Sequence, residues 1–79
     1  MSYFVYILFS ESLQKYYVGH TEDLDKRLEE HNKGKSKFTS KGIPWQMVKS
    51  YNCSNRSDAY QLELKIKNRG AKRYMDSNP

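Results

Sequence analysis

The residues from Tyr3 to Phe9, Tyr-Phe-Val-Tyr-Ile-Leu-Phe, are almost all β-branched or aromatic, and none is charged. A run of that make-up, with no polar alternation, predicts a strand covered on both faces and therefore central in its sheet. With 79 residues the chain encloses one domain, spanning 1–79, and that domain must be built around this strand. Seven Tyr, three Phe and one Trp supply large rings to a core that is otherwise short of apolar residues.

Ser10 to Gln14 is a polar connection of hairpin length, and Lys15 to Gly19 resumes the strand pattern. Thr21 is placed to cap a helix running from about Glu22 to Asn32 and ending at Gly34, with Leu24 and Leu28 as its apolar stripe. Arg27 and His31 stand four apart and flank that stripe on one side, so both can look into one groove beside the sheet. A basic loop covers 33–44. Trp45 to Tyr51 reads as a third strand, with Trp45 packing in the core, and Asn52 to Asn55 as a turn. Ser54 or Ser57 can cap a second helix over about 57–68, with Ala59, Leu62 and Ile66 inward and Glu63 at the border of the buried face. Gly70 closes it, Ala71 to Met75 add a short helical turn, and 76–79 read as a disordered tail. The expected class is α+β, a small three-stranded antiparallel sheet flanked by helices in the order β-β-α-β-α.

Fourteen Lys and Arg against nine Asp and Glu leave a net charge of +5. Every charge between Lys33 and Lys49 is positive, which suits either a polyanion such as nucleic acid or simple solubility. Cys53 is the single cysteine, so an internal disulfide and a multi-thiolate zinc site are both excluded. No stretch is apolar and long enough to span a bilayer, and the N-terminal residues do not read as a signal peptide. A cytoplasmic protein without a membrane partner is the expectation.

Tyr6 and Tyr17 lie eleven positions apart in Val5-Tyr6-Ile7-Leu8 and Tyr17-Val18-Gly19. They are followed by Asp23-Leu24, Arg27-Leu28, His31-Asn32, Lys37-Phe38-Thr39, Pro44-Trp45, and Ser57-Asp58-Ala59 through Glu63 to Ile66-Lys67. In these elements, to about Arg73, the chain resembles the GIY-YIG nuclease family, and most closely its small single-domain, UvrC-type members. Phe4 and Val5 stand where the first motif has glycine and isoleucine. The asparagine that helps hold the site in several members has no clear counterpart at Asn68 or Asn78.

The resemblance implies hydrolysis of a phosphodiester with one divalent ion, Mg²⁺ or Mn²⁺, held by Glu63. It implies Tyr6 as general base, Tyr17 as its partner or the positioner of the attacking water, and Arg27 on the scissile phosphate. His31 would orient water, relay a proton or touch phosphate. His20, directly after the second motif, could also face the substrate. Lys33, Lys35, Lys37 and Lys41, near-alternate with Phe38 among them, suit backbone contact and stacking on nucleic acid, and Lys67 extends that set. Each residue also has a plain structural use. The tyrosines can fill a core, Arg27 can pair with Asp23 or Glu30, His31 can sit at a helix end, and Glu63 can pair with Lys67 at i, i+4. The functions compatible with this pattern are a structure- or damage-directed DNA endonuclease in repair, a catalytically silent nucleic-acid-binding module, or an adaptor in a repair complex. In the first case a protein partner could supply specificity.

Overall fold

The computed structural model describes residues 2–78. Strands β1 (Tyr3–Ser10), β2 (Lys15–Thr21) and β3 (Trp45–Cys53) form one antiparallel sheet in the order β2-β1-β3. The uncharged run is the central strand, and Val5, Ile7 and Leu8 have no exposed surface. Three α-helices complete the fold: α1 (Leu24–Asn32), α2 (Arg56–Arg69) and α3 (Ala71–Ser77). A short 3₁₀ turn spans Ser40–Gly42 within the basic loop.

The sheet separates two apolar layers. Val5, Ile7 and Val18 pack with Ala59, Ile66, Ala71 and Tyr74 of α2 and α3. Tyr6 and Leu8 face the other way and pack with Trp45, Tyr17, Leu24 and Leu28, beneath α1. Strand β3 serves both layers through a bulge. Ile7 pairs with Lys49 but Leu8 pairs with Met47, so Val48 is the extra residue. A shift of one residue turns a strand over. Tyr51 and Cys53 therefore join the α2–α3 layer, while Met47 and Trp45 of the same parity join the α1 layer.

The caps differ from the sequence expectation by a residue or two. Asp23, not Thr21, caps α1: its Oδ1 accepts from Lys26 N at 3.0 Å, and Thr21 Oγ1 accepts from Asp23 N at 3.1 Å. The helix accordingly starts at Leu24 rather than Glu22. Asn55, not Ser54 or Ser57, caps α2 through Asp58 N at 2.8 Å. Strand β3 continues through Asn52 and Cys53, where a turn was expected, because Phe4 and Tyr3 of the central strand pair with them. Asp76 and Ser77, expected in a disordered tail, belong to α3. Asn78 is tied down as well: its amide N–H donates to Tyr74 O at 2.9 Å, and Tyr51 Oη donates to its carbonyl at 3.2 Å. Residue 79 lies outside the described residues.

Candidate active site

Tyr6 comes from the middle of the central strand and is 2% exposed. Its ring lies across Gly19, its register partner on β2. A Cβ at Gly19 would stand 2.5 Å from Tyr6 Oη and 2.7 Å from Cζ, so the glycine of the second motif is the space the phenol occupies. Above the ring, α1 presents two residues four apart. Tyr6 Oη is 3.0 Å from His31 Nε2, and Arg27 Nε donates to Tyr6 Oη at 3.4 Å. The shared groove expected from the i, i+4 spacing is thus the space over this hydroxyl.

His31 is fully buried. Its Nδ1 is 2.6 Å from the hydroxyl of Thr39, also fully buried, midway along the basic loop. The loop is pinned there by Trp45, whose indole N–H donates to Thr39 O at 2.6 Å. Asn32 adds a two-way bond to the backbone of Trp45, accepting from its N at 2.7 Å and donating to its O at 3.1 Å. Thr39 and Asn32 carry no ionisable group, so their part was not assigned from sequence. Their signal was membership of the motif elements His31-Asn32 and Lys37-Phe38-Thr39, which gave neither residue a role.

Tyr17 pairs with Leu8, on the same face as Tyr6. It meets the site ring to ring: its centroid is 6.4 Å from that of Tyr6, 5.1 Å from that of His31 and 6.3 Å from that of Trp45. Arg27 makes a second contact, donating from its terminal nitrogen to Glu30 Oε1 at 3.3 Å, one of the two acidic neighbours foreseen for it.

Glu63 reaches the site from the other layer. It projects from α2, and its side chain is 13% exposed. His20 Nδ1 donates to its Oε1 at 2.7 Å, and Lys67 Nζ donates to its Oε2 at 2.8 Å. Along β2, Gly19 underlies Tyr6 while the next residue, His20, turns to the opposite face and holds Glu63. Two adjacent residues of one edge strand thus separate the phenol from the carboxylate. Glu63 makes no hydrogen bond to Tyr6, Tyr17, Arg27 or His31; it acts on Tyr6 through its charge. A cleft of about 360 Å³ where β2 runs into α1 has both His20 and Arg27 in its wall, with Lys26 and Arg56 as further cations and Glu22, Asp23 and Glu30 as acids.

Burial pushes the Tyr6 phenol above its ordinary pKa of 10.0, and the charges of Tyr17 and Glu63 add to the rise against the lowering effect of Arg27. The phenol is therefore protonated at neutral pH. Burial, and then the charge of Arg27, hold the His31 imidazole below 6.5, so it is neutral. Two hydrogen-bond patterns satisfy these groups. In one, Arg27 donates to Tyr6, Tyr6 to His31 Nε2, and His31 Nδ1–H to Thr39. In the other, His31 takes the opposite tautomer and donates to Tyr6.

Of the loop lysines, Lys35, Lys37 and Lys41 are exposed, and Lys33 is exposed while pairing with Glu29 of its own helix. Lys67 makes the i, i+4 pair with Glu63. Among the described residues no group of three or more His, Cys, Asp or Glu could hold a metal ion. Glu63 by itself is a single carboxylate ligand, which fits an ion that keeps most of its waters, as Mg²⁺ does, and does not fit a cage-bound metal.

The sequence profile of the GIY-YIG catalytic domain matches residues 2–76. This chain belongs to the GIY-YIG family. It is 38% identical over 69 residues to a UPF0213 protein of Lactococcus lactis subsp. cremoris, covering 86% of this chain and 69% of that protein. It is 40% identical over 68 residues to the UPF0213 protein YsiG of Lactococcus lactis subsp. lactis, covering 85% of this chain and 64% of that protein. The fold superposes on the solution NMR structure of the UPF0213 protein BH0048 from Bacillus halodurans with a TM-score of 0.57 and 27% identity, over 96% of this chain and 81% of that one. Membership brings a nuclease-type domain, an association with nucleic acid and, generally in this family, use of a divalent metal ion. Among the described residues no helix is long and apolar enough to cross a membrane.

Proposed function

We propose that this GIY-YIG domain is a divalent-metal-dependent DNA endonuclease that hydrolyses phosphodiester bonds, directed by DNA structure or damage rather than by sequence. The observation that carries the reading is the chain of polar groups Arg27–Tyr6–His31–Thr39, buried from Tyr6 inward and opened by Arg27 to a cleft that holds both cations and acids. A core that needed only ring volume would be served by Phe at position 6, without the cost of burying a hydroxyl and an imidazole together.

The buried phenol, protonated at rest, works as one member of a relay. A water attacking phosphorus gives its proton to Tyr6 Oη as Tyr6 passes its own to His31 Nε2; the phosphorus–oxygen bond to the leaving strand breaks, its electron pair stays on the leaving oxygen, and that oxygen takes a proton from solvent water. In the tautomer whose Nδ1–H donates to Thr39, Nε2 is free to accept that proton. Burial removes His31 from contact with phosphate and leaves it the relay role. Arg27 is half-exposed beside the phenol and places its charge on the phosphoryl oxygens. Tyr17 braces the ring pair. Glu63, steadied by His20, would hold Mg²⁺ or Mn²⁺, which when bound supplies positive charge to the phosphate and to the attacking water. The exposed Lys35, Lys37 and Lys41 track the backbone, with Lys33 at the start of the loop. Lys67 serves Glu63 first. With backbone contacts of this kind, sequence preference has to come from a protein partner.

The test is a nicking assay on plain, branched and flapped DNAs with Mg²⁺ or Mn²⁺. Wild type is expected to cut and Glu63→Ala not to cut while remaining folded. Equal cutting by both would refute the reading. A second reading, a binding module without turnover, draws on Glu63 having both oxygens engaged by His20 and Lys67. It requires salt-sensitive binding and no metal-dependent product.

A further inference from the structure

Phe38 is 88% exposed, far more than any other large apolar residue among those described. The segment that carries it is held by several short bonds. The next residue, Thr39, is fully buried on His31, its carbonyl takes the indole N–H of Trp45, and its N donates to Ser36 O at 3.3 Å. Ser40 N also donates to Ser36 O, at 3.0 Å, and Ser40 Oγ donates to Lys37 O at 3.2 Å. A phenyl ring is therefore presented to solvent on a fixed turn, one residue from a group bonded to the histidine of the site.

We infer that Phe38 is a stacking platform for an unpaired base of the substrate strand. The preferred DNA is then one whose bases are unstacked beside the scissile phosphate, such as a flap, a gap or a single-stranded arm. This rests on the nucleic-acid reading of the site proposed above and adds the substrate class to it. Charge complementarity selects the occupant: Lys35, Lys37 and Lys41, each within three residues of Phe38 along the chain, are exposed. They match the phosphates that flank a base, whereas an apolar protein surface would have to desolvate three ammonium groups to reach one ring. A phenyl face accepts any base, consistent with a domain that reads structure and not sequence.

The test measures binding without metal, by fluorescence anisotropy, to a single-stranded oligonucleotide and to the matching duplex. 2-Aminopurine in the single strand reports stacking directly. Phe38→Ala is expected to weaken single-strand binding by roughly 5- to 150-fold, the range for one lost base–aromatic stack, and to change duplex binding by less than about 2-fold. Phe38→Trp is expected to restore both affinity and the 2-aminopurine signal. Because the ring touches water, circular dichroism should be the same for all variants. Equal losses on both DNAs, or none on either, would overturn the inference. So would an unchanged DNA affinity combined with altered self-association in sedimentation, which would make the ring a contact between copies. Wild-type cleavage assayed alongside separates the two levels: DNA that is bound and cut with no Phe38 effect removes only the stacking site, while no binding of any DNA removes the nucleic-acid reading itself.

Discussion

Replacing Gly19 with alanine tests the placement of the phenol in a way that no substitution of Tyr6 can. The backbone at Gly19 is ordinary strand, the positive-φ glycines being Gly34 and Gly70, so the added methyl meets no conformational penalty of its own. It meets Tyr6 instead, at 2.5 Å from Oη, 2.7 Å from Cζ and 3.2 Å from Cε2. The ring is 2% exposed and fixed by Arg27 and His31, so it cannot give way without breaking a contact. Overpacking of this kind costs about 1–3 kcal/mol. Losing the Tyr6–His31 bond adds about 0.5–1.5 kcal/mol. Together they predict a loss of about 1.5–4.5 kcal/mol, a large share of the total stability of a small domain. Urea unfolding followed by circular dichroism measures it, with an unchanged slope showing that the unfolded state is unaffected. Gly70→Ala is the control: nothing lies within 4 Å of its Cβ position, and its φ of +95° makes the cost purely one of backbone strain. Combining Gly19→Ala with Tyr6→Phe should recover part of the loss, since the nearest clashing atom is the hydroxyl. If Gly19→Ala were within about 0.5 kcal/mol of wild type, the ring could not lie where the relay needs it.

Thr39→Val keeps the shape of a buried residue but leaves His31 Nδ1 without its partner, and should cost about 1–3 kcal/mol in the same unfolding experiment. The His31 imidazole has its folded pKa below 6.5, so the unfolded chain binds the proton more readily. Stability from this group is complete above pH 6.5 and is lost as pH falls through the folded value, which urea midpoints measured between pH 8 and pH 5 should show for wild type but to a lesser degree for His31→Gln. His20→Ala releases one oxygen of Glu63 and should weaken Mn²⁺ binding by about 10- to 100-fold in a titration followed by electron paramagnetic resonance, with His20→Gln recovering part of it. Ile66→Ala, in the layer remote from the phenol, should cost about 2–5 kcal/mol while leaving the metal dependence of any cleavage unchanged below its melting point.

The parts of this molecule that sequence made legible are those set by local periodicity. Tyr3 to Phe9 had to be a covered strand, and Arg27 and His31 had to share a helix face. What sequence could not show were relations set by distant pairing. The bulge at Val48, which turns Trp45 and Met47 toward α1, has no glycine to announce it, since Val48 is half-exposed and ordinary. The helix caps at Asp23 and Asn55 were chosen over Thr21, Ser54 and Ser57 by where the sheet delivers the chain; all of these residue types can cap. Glu63 illustrates a different limit. Its pairing with Lys67 and its place beside the motif tyrosines were set out as competing readings, yet the carboxylate has two oxygens: Lys67 takes one and His20, from the second motif strand, takes the other.

That division of labour across β2 bears on how function and stability are coupled in so small a chain. On the α1 side the groups proposed to move the proton are themselves the core: Tyr6, His31 and Thr39 are among the largest fully buried side chains. Any substitution there removes packing or strands a polar atom, so stability and chemistry change together. On the α2 side Glu63, His20 and Lys67 stand at the rim, where the buried layer is completed by Ala59 and Ile66 without them. A carboxylate in that position can give up Lys67 for a hydrated cation, with His20 still holding its other oxygen, without disturbing the core. The edge strand thus keeps the labile, exchangeable half of the site apart from the half that the fold cannot do without. Gly19, the neighbour of His20 on that strand, has no room for a side chain, because the phenol fills the space.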